Sequence, residues 1–166
     1  MEVFMNNVKK LVICGLMAAV TTAATMFLSM PIPGVTGAYI NAGDAAVYIS
    51  AYLLGGPLGA ACAGVGSALA DLLLGSALYA PATLIIKAGM GLLAGALMSR
   101  LKGWKSIFAL LSAGVIMVAG YFGYECILYG TAAALLSIPM NLIQYAGGVL
   151  IGFICIQAIR RVKKEL

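Results

Sequence analysis

The chain has 166 residues, of which 63% are hydrophobic and 9% charged, with a mean hydropathy of +1.08 and a formal net charge of +5. A soluble domain of this size cannot hide so much apolar surface, so lipid must cover part of it: the composition describes an all-α integral membrane protein, with residues 1–166 forming a single membrane domain. Histidine is absent, and Cys14, Cys62, Cys126 and Cys155 lie far apart in apolar runs, which removes the usual ligands of zinc and haem, the usual general base and any paired-cysteine redox motif; no metal or cofactor is expected.

The first apolar run, residues 11–29, is long enough to span a bilayer. Lys9 and Lys10 before it resemble the start of a signal peptide, but too many apolar runs follow for a secreted product, so the run is read as the first helix. MPIPGVTGAYINAG, Met30 to Gly43, breaks that helix with proline and glycine and carries no Lys or Arg, which suits the outer face. A second span, residues 44–54, is short unless it tilts or extends back through Tyr39. GGPLG turns the chain into a third span over residues 58–74. GSALYAP then turns it into a fourth, residues 82–101, which ends at the basic connection RLKGWK. A fifth covers residues 106–128, and YGTAAALLSIP leads to a sixth, residues 138–160, followed by a basic tail.

Nine of the ten basic residues fall at three places: Lys9 and Lys10; Arg100, Lys102 and Lys105; and Arg160, Arg161, Lys163 and Lys164. Clustered this way they mark membrane edges and not a nucleic-acid surface. The positive-inside rule puts all three places in the cytoplasm, so an even number of crossings separates each from the next. Six crossings satisfy this, giving a six-transmembrane-helix bundle with both termini cytoplasmic; a four-helix bundle with re-entrant segments is the alternative. Trp104, in the basic connection, is expected to anchor at the interface.

Apart from these clusters and the terminal acids Glu2 and Glu165, the ionisable residues Asp44, Asp71, Lys87 and Glu125 stand in apolar surroundings. A charge in the hydrocarbon costs about 2.5 to 3.5 kcal/mol on insertion scales, so such residues face a bundle interior. In the six-span topology Asp71, Lys87 and Glu125 all lie within roughly 8 Å of the outer boundary. Asn141 and Gln144, one turn apart on the sixth span, join them at that level. One reading is structural: Lys87 pairs with Asp71 or Glu125 and the amides bridge helices. The other is a binding pocket, since two buried acids against one base leave a carboxylate, such as Glu125, for a ligand to satisfy. The tyrosines of the outer half form an aromatic belt, from which Tyr79 and Tyr121 are candidates to stack on a flat ring. Gly15, Ala19 and Ala23 make a smooth stripe on the first helix, suited to close packing within the chain or against a partner.

The run from Gly43 to Gly95, with its GD...LLG.P.G...G..G....D and YAPAT..IK strings, together with IPMNLIQYAGGVLIG, resembles the substrate-binding S components of energy-coupling factor (ECF) vitamin transporters, in the group of the riboflavin and hydroxymethylpyrimidine proteins. The resemblance covers nearly the whole chain. It implies a six-helix subunit of the bacterial cytoplasmic membrane that captures a vitamin or precursor from outside. Its ligand contacts would come from the loop after the first helix, Tyr39 and Asn41, and from Lys87, Glu125, Asn141 and Gln144. It also implies that the stripe of Gly15, Ala19 and Ala23 meets a transmembrane T protein, with two ABC-type ATPases supplying energy. The chain has no GxxxxGK[ST] loop of its own. The polar set favours hydroxymethylpyrimidine or a pyridoxine-like vitamer over riboflavin. A stand-alone proton-coupled carrier using Asp71, Lys87 and Glu125 is the rival reading; an enzyme is disfavoured because no nucleophile–base pair or metal-ligand cluster is present.

Overall fold

The structure, a computed structural model, describes residues 7–31 and 39–165; Glu2 and residues 32–38 of the proline- and glycine-rich connection lie outside the described residues. The α-helices are α1 (Asn7–Phe27), α2 (Gly43–Leu54), α3 (Gly56–Leu73), α4 (Ala80–Met98), α5 (Ser106–Tyr129) and α6 (Thr131–Glu165). All but α2 are long and apolar enough to cross a membrane. With 12 residues, α2 is roughly 18 Å long, short of a bilayer core of about 30 Å.

Helix bounds differ from the hydropathy reading where polar or proline residues extend a helix past its apolar stretch. Hydropathy locates the lipid-facing part of a helix and not its ends, so α1 carries Lys9 and Lys10 as ordinary helical residues. Likewise α6 starts at Thr131 and keeps Pro139 inside it, although Pro139 removes one ladder hydrogen bond. Gly130, at φ +80°, separates α5 from α6 with its N–H on Cys126 O. The connection after α1 adds a feature that an all-α reading lacks. Strands β1 (Ser29–Pro31) and β2 (Tyr39–Asn41) pair antiparallel, with Met30 opposite Ile40. Alternation along β2 places Tyr39 and Asn41 on the same side of the hairpin.

Helices in lipid gain little from apolar burial against each other, so close approach and dispersion decide which pairs meet. Gly56 and Gly59 of α3 face Gly95 and Gly91 of α4: a Cβ on Gly95 would lie 2.5 Å from Gly56 N, and one on Gly91 2.9 Å from Gly59 O. The α1–α3 contact is also made by a small residue, but on α3, where a Cβ on Gly66 would lie 2.5 Å from Ala18 O. The face that α1 buries carries Met17, Thr21 and Thr25; Gly15, Ala19 and Ala23 face outward and are exposed. Tyr48, Met90, Leu110, Met117 and Ile156 fill the centre of the bundle.

The two ends of the bundle differ in charge. Lys10 lies beside Leu58 at the start of α3, and Arg160 of α6 contacts both Tyr52 near the end of α2 and Gly103 in the short 3-10 turn Gly103–Lys105. The three basic clusters therefore share one end. The hairpin and the first turns of α2 and α4 lie at the other.

Candidate functional site

At the hairpin end, Lys87 of α4 is 2% exposed and forms an ion pair with Asp44, itself 1% exposed. Sequence reasoning set Lys87 against Asp71 or Glu125; the partner is instead Asp44, absent from the candidate site. The reason is topological: α2 begins directly after the hairpin and packs against α4 and α6, so its first turn arrives at the level of Lys87. A carboxylate there also meets the positive end of the α2 dipole. Gln144 of α6 secures the same carboxylate, donating from Nε2 to Asp44 Oδ2 at 2.9 Å, while its Oε1 accepts the Asn41 N–H at 2.9 Å. One side chain thus ties the hairpin, α2 and α6 together.

The other two buried acids have different surroundings. Glu125 of α5 accepts from the Tyr79 hydroxyl at 3.2 Å and from Ser137 of α6. Both of its oxygens are engaged, so the surplus carboxylate expected at Glu125 lies elsewhere. Asp71 of α3 accepts from Tyr39 through Oδ1; the Thr83 hydroxyl lies near the carboxylate but is bonded to Tyr121, and no donor among the described residues reaches the buried Oδ2 in hydrogen-bond geometry. Burial, reinforced by the Asp71 charge, pushes the Tyr39 hydroxyl far above the ordinary phenol range and holds it as a donor. Three buried carboxylates therefore face one buried ammonium, and Asp71 Oδ2 is the acceptor left without a donor.

Tyr39, Asn41, Asp71, Tyr79, Lys87, Tyr121, Glu125, Asn141 and Gln144, the residues singled out from sequence, line one cavity. Its free volume is about 20 Å³, room for about one water. Aromatic rings crowd one wall, with Tyr79 and Tyr121 centroids 6.4 Å apart and Lys87 Nζ 5.5 Å from the Tyr121 centroid. A ring-sized guest must displace contacts in this wall. The Tyr39–Asp71 and Asn41–Gln144 bonds are held from outside the helices, by β2.

Sequence reasoning missed Asp44, Thr25, Ser67 and Thr83, the last three of which line the cavity, and Ser137. Thr83 shares a 2.9 Å hydrogen bond with Tyr121, and Thr25 Oγ1 is buried with no partner among the described residues. For Ser67, Thr83 and Ser137 the signal was a hydroxyl four residues before a singled-out polar group, Asp71, Lys87 and Asn141, as Tyr121 stands before Glu125. Each such pair shares one helix face, so α3, α4, α5 and α6 each contribute a polar patch and not a lone polar group.

Residues 5–161 match the family model described as the S component of an ECF-type riboflavin transporter. The thiamine precursor transporter HmpT of Lactococcus lactis subsp. cremoris (strain MG1363) is 32% identical over 149 residues, covering 90% of this chain and 84% of HmpT. An uncharacterized protein in the gap 3' region of Pyrococcus woesei is 33% identical over 132 residues, covering 79% of this chain and 88% of that protein. The fold matches the solved S component of a bacterial ECF transporter with a TM-score of 0.73, at 22% identity, over 96% of this chain and 98% of that one. A match over nearly the full length, on a multi-pass helical bundle whose buried charges gather at one end, makes this chain a member of the ECF transporter S component family.

Proposed function

We propose that the chain is the substrate-binding subunit of an ECF importer, acting as a single membrane domain that crosses the bacterial cytoplasmic membrane six times with both termini cytoplasmic. The basic end then faces inward, as the positive-inside rule requires, and the polar cavity opens at the outer face. The cargo is a small polar heteroaromatic, hydroxymethylpyrimidine or a pyridoxine-like vitamer.

One observation carries the substrate class: Asp71 Oδ2 is a buried acceptor without a donor, in a cavity where carboxylates outnumber the ammonium. An exocyclic amine or a protonated ring nitrogen supplies the missing hydrogen bond, and Tyr79 and Tyr121 give the ring a face to stack on. In this reading Asn41, Asn141 and Gln144 bond ring nitrogens and hydroxyls, Gln144 by exchanging its bond with Asn41 or Asp44 for one to the ligand, with Lys87 and Glu125 as the charged walls. The name of the relative HmpT supports a pyrimidine; the description of the family model supports riboflavin as the second reading. A single ring requires a smaller opening of a 20 Å³ cavity than a fused three-ring system does.

Energy for release comes, in this reading, from a T protein docked on Gly15, Ala19 and Ala23 and from two ABC-type ATPases. Titration calorimetry of the detergent-purified chain against hydroxymethylpyrimidine, pyridoxine and riboflavin, with mass spectrometry of any copurifying small molecule, tests the substrate. Binding of the pyrimidine is expected, weakened at least about tenfold in Asp71→Asn. Binding of riboflavin alone overturns the small-ring assignment.

A further inference from the structure

At the basic end, the last turns of α2, α4 and α6 and the 3-10 turn enclose a second, larger cleft of about 860 Å³. Buried Met98 and half-buried Tyr52 give it an apolar floor, Ser99 and Gln157 are polar, and Arg160 with the exposed Lys102 and Arg161 makes it basic. No acidic residue lines it among the described residues. Arg160 is held in place from two sides: Nη1 donates to Gly103 O and, at 3.1 Å, to Ser106 Oγ, and the guanidinium carbon sits 5.1 Å above the Tyr52 ring. Lys163 Nζ lies 5.6 Å from the same ring. Four cations thus gather around one aromatic floor with nothing of opposite charge in the cleft.

We infer that this cleft binds the phosphate headgroup of an anionic phospholipid. An exposed Trp104, 66% accessible and 6.0 Å from Phe108, lies beside it and marks the headgroup level of the bilayer. Basic pockets between membrane helices are suited to anionic headgroups, and each cation near the surface contributes a similar increment. The apolar floor distinguishes a lipid from a free anion: it has a use for the glycerol and first acyl carbons and none for inorganic phosphate. The Arg160 fork, fixed before the ligand arrives, suits a phosphodiester. The site depends on insertion of the bundle in a bilayer and not on which vitamin occupies the cavity at the other end.

The full chain is purified in detergent and its melting temperature followed with short-chain phosphatidylglycerol, short-chain phosphatidylcholine or inorganic phosphate, and retained lipid is weighed by native mass spectrometry. Stabilisation by phosphatidylglycerol alone is expected, with retention weakened roughly fivefold by Arg160→Gln and about thirtyfold by Arg160→Gln with Arg161→Gln. Arg100→Gln, at the same end but outside the cleft, is expected to change retention by less than about twofold. Equal weakening by Arg100→Gln reduces the effect to general surface charge and overturns the site. Equal stabilisation by phosphatidylcholine or by inorganic phosphate overturns the anionic-lipid assignment. If the double variant does not fold, the comparison of ligands on the unaltered chain decides. Vitamin binding, measured on the same preparation, is expected to persist in both arginine variants, so its loss or absence bears on the polar cavity alone.

Discussion

Lys87 and Asp44 show what a charge inside this bundle requires. Each is almost fully buried, and the pair is tolerable because the two neutralise each other and Gln144 satisfies the second carboxylate oxygen. Removing one partner strands the other: Lys87→Met is expected to lower stability by about 3 to 5 kcal/mol, read as thermal or denaturant unfolding in detergent. Adding Asp44→Asn to that variant is expected to restore part of the loss, since a neutral amide still accepts from Gln144; no recovery would mean that the pair is not the main term. Asp71 is the contrasting case. Asp71→Asn keeps its shape and its bond from Tyr39 through Oδ1 but puts an NH2 donor where Oδ2 was the acceptor, so folding is expected to survive while affinity for an aminopyrimidine falls at least about tenfold. Glu125→Ala and Asn141→Ala are expected to abolish binding in the same assay, Glu125 by freeing Tyr79 and Ser137 to refill the cavity wall.

At the scale of elements, the glycines divide into those that hold helices together and those that leave a surface bare. Gly95→Ala drives a methyl into the Gly56 backbone and is expected to cost about 1 to 3 kcal/mol. Gly15→Ala meets nothing within 4 Å, so it is expected to be neutral or to stabilise α1 by about 0.5 to 1 kcal/mol through helix propensity. Unfolding midpoints of the two variants check the contrast. The bare stripe is also where a partner helix would sit. Ala19→Leu is expected to leave vitamin affinity within about twofold while uptake falls at least about tenfold, because its side chain points away from the cavity and would separate two helix backbones that must touch. Loss of binding in Ala19→Leu would place α1 in the pocket and not at an interface.

For the whole molecule, the separation of its ends matters most. One end gathers the basic clusters, and the other buries three carboxylates and one ammonium around a small cavity. A carrier that works alone needs those acids to relay protons across the membrane; a capture subunit needs them only at one face. Proteoliposomes containing this chain alone under a pH gradient are expected to show no uptake, and addition of a T protein, ATPases and ATP to produce it. Gradient-driven uptake by the chain alone would favour the proton-coupled carrier.

Composition and charge placement determined, without coordinates, that the chain is a helical membrane protein whose intramembrane polar residues belong at one level, because lipid penalises charge so heavily that its rare positions are informative. The polar and aromatic residues named on that basis line one cavity, together with Tyr39 and Asn41, which the family resemblance implied. What only the tertiary structure decided is which acid neutralises Lys87, which carboxylate is left over, and which face of α1 stays bare. Each depends on how helices distant in sequence rotate and stack: Asp44 reaches Lys87 across 43 positions, and Gln144 reaches Asp44 across 100. Depth along a helix is a linear count that sequence supplies. Rotation about the axis, and hence who faces whom, is set by packing, where close contacts such as Gly66 on Ala18 and Gly95 on Gly56 select one arrangement from many of equal hydropathy.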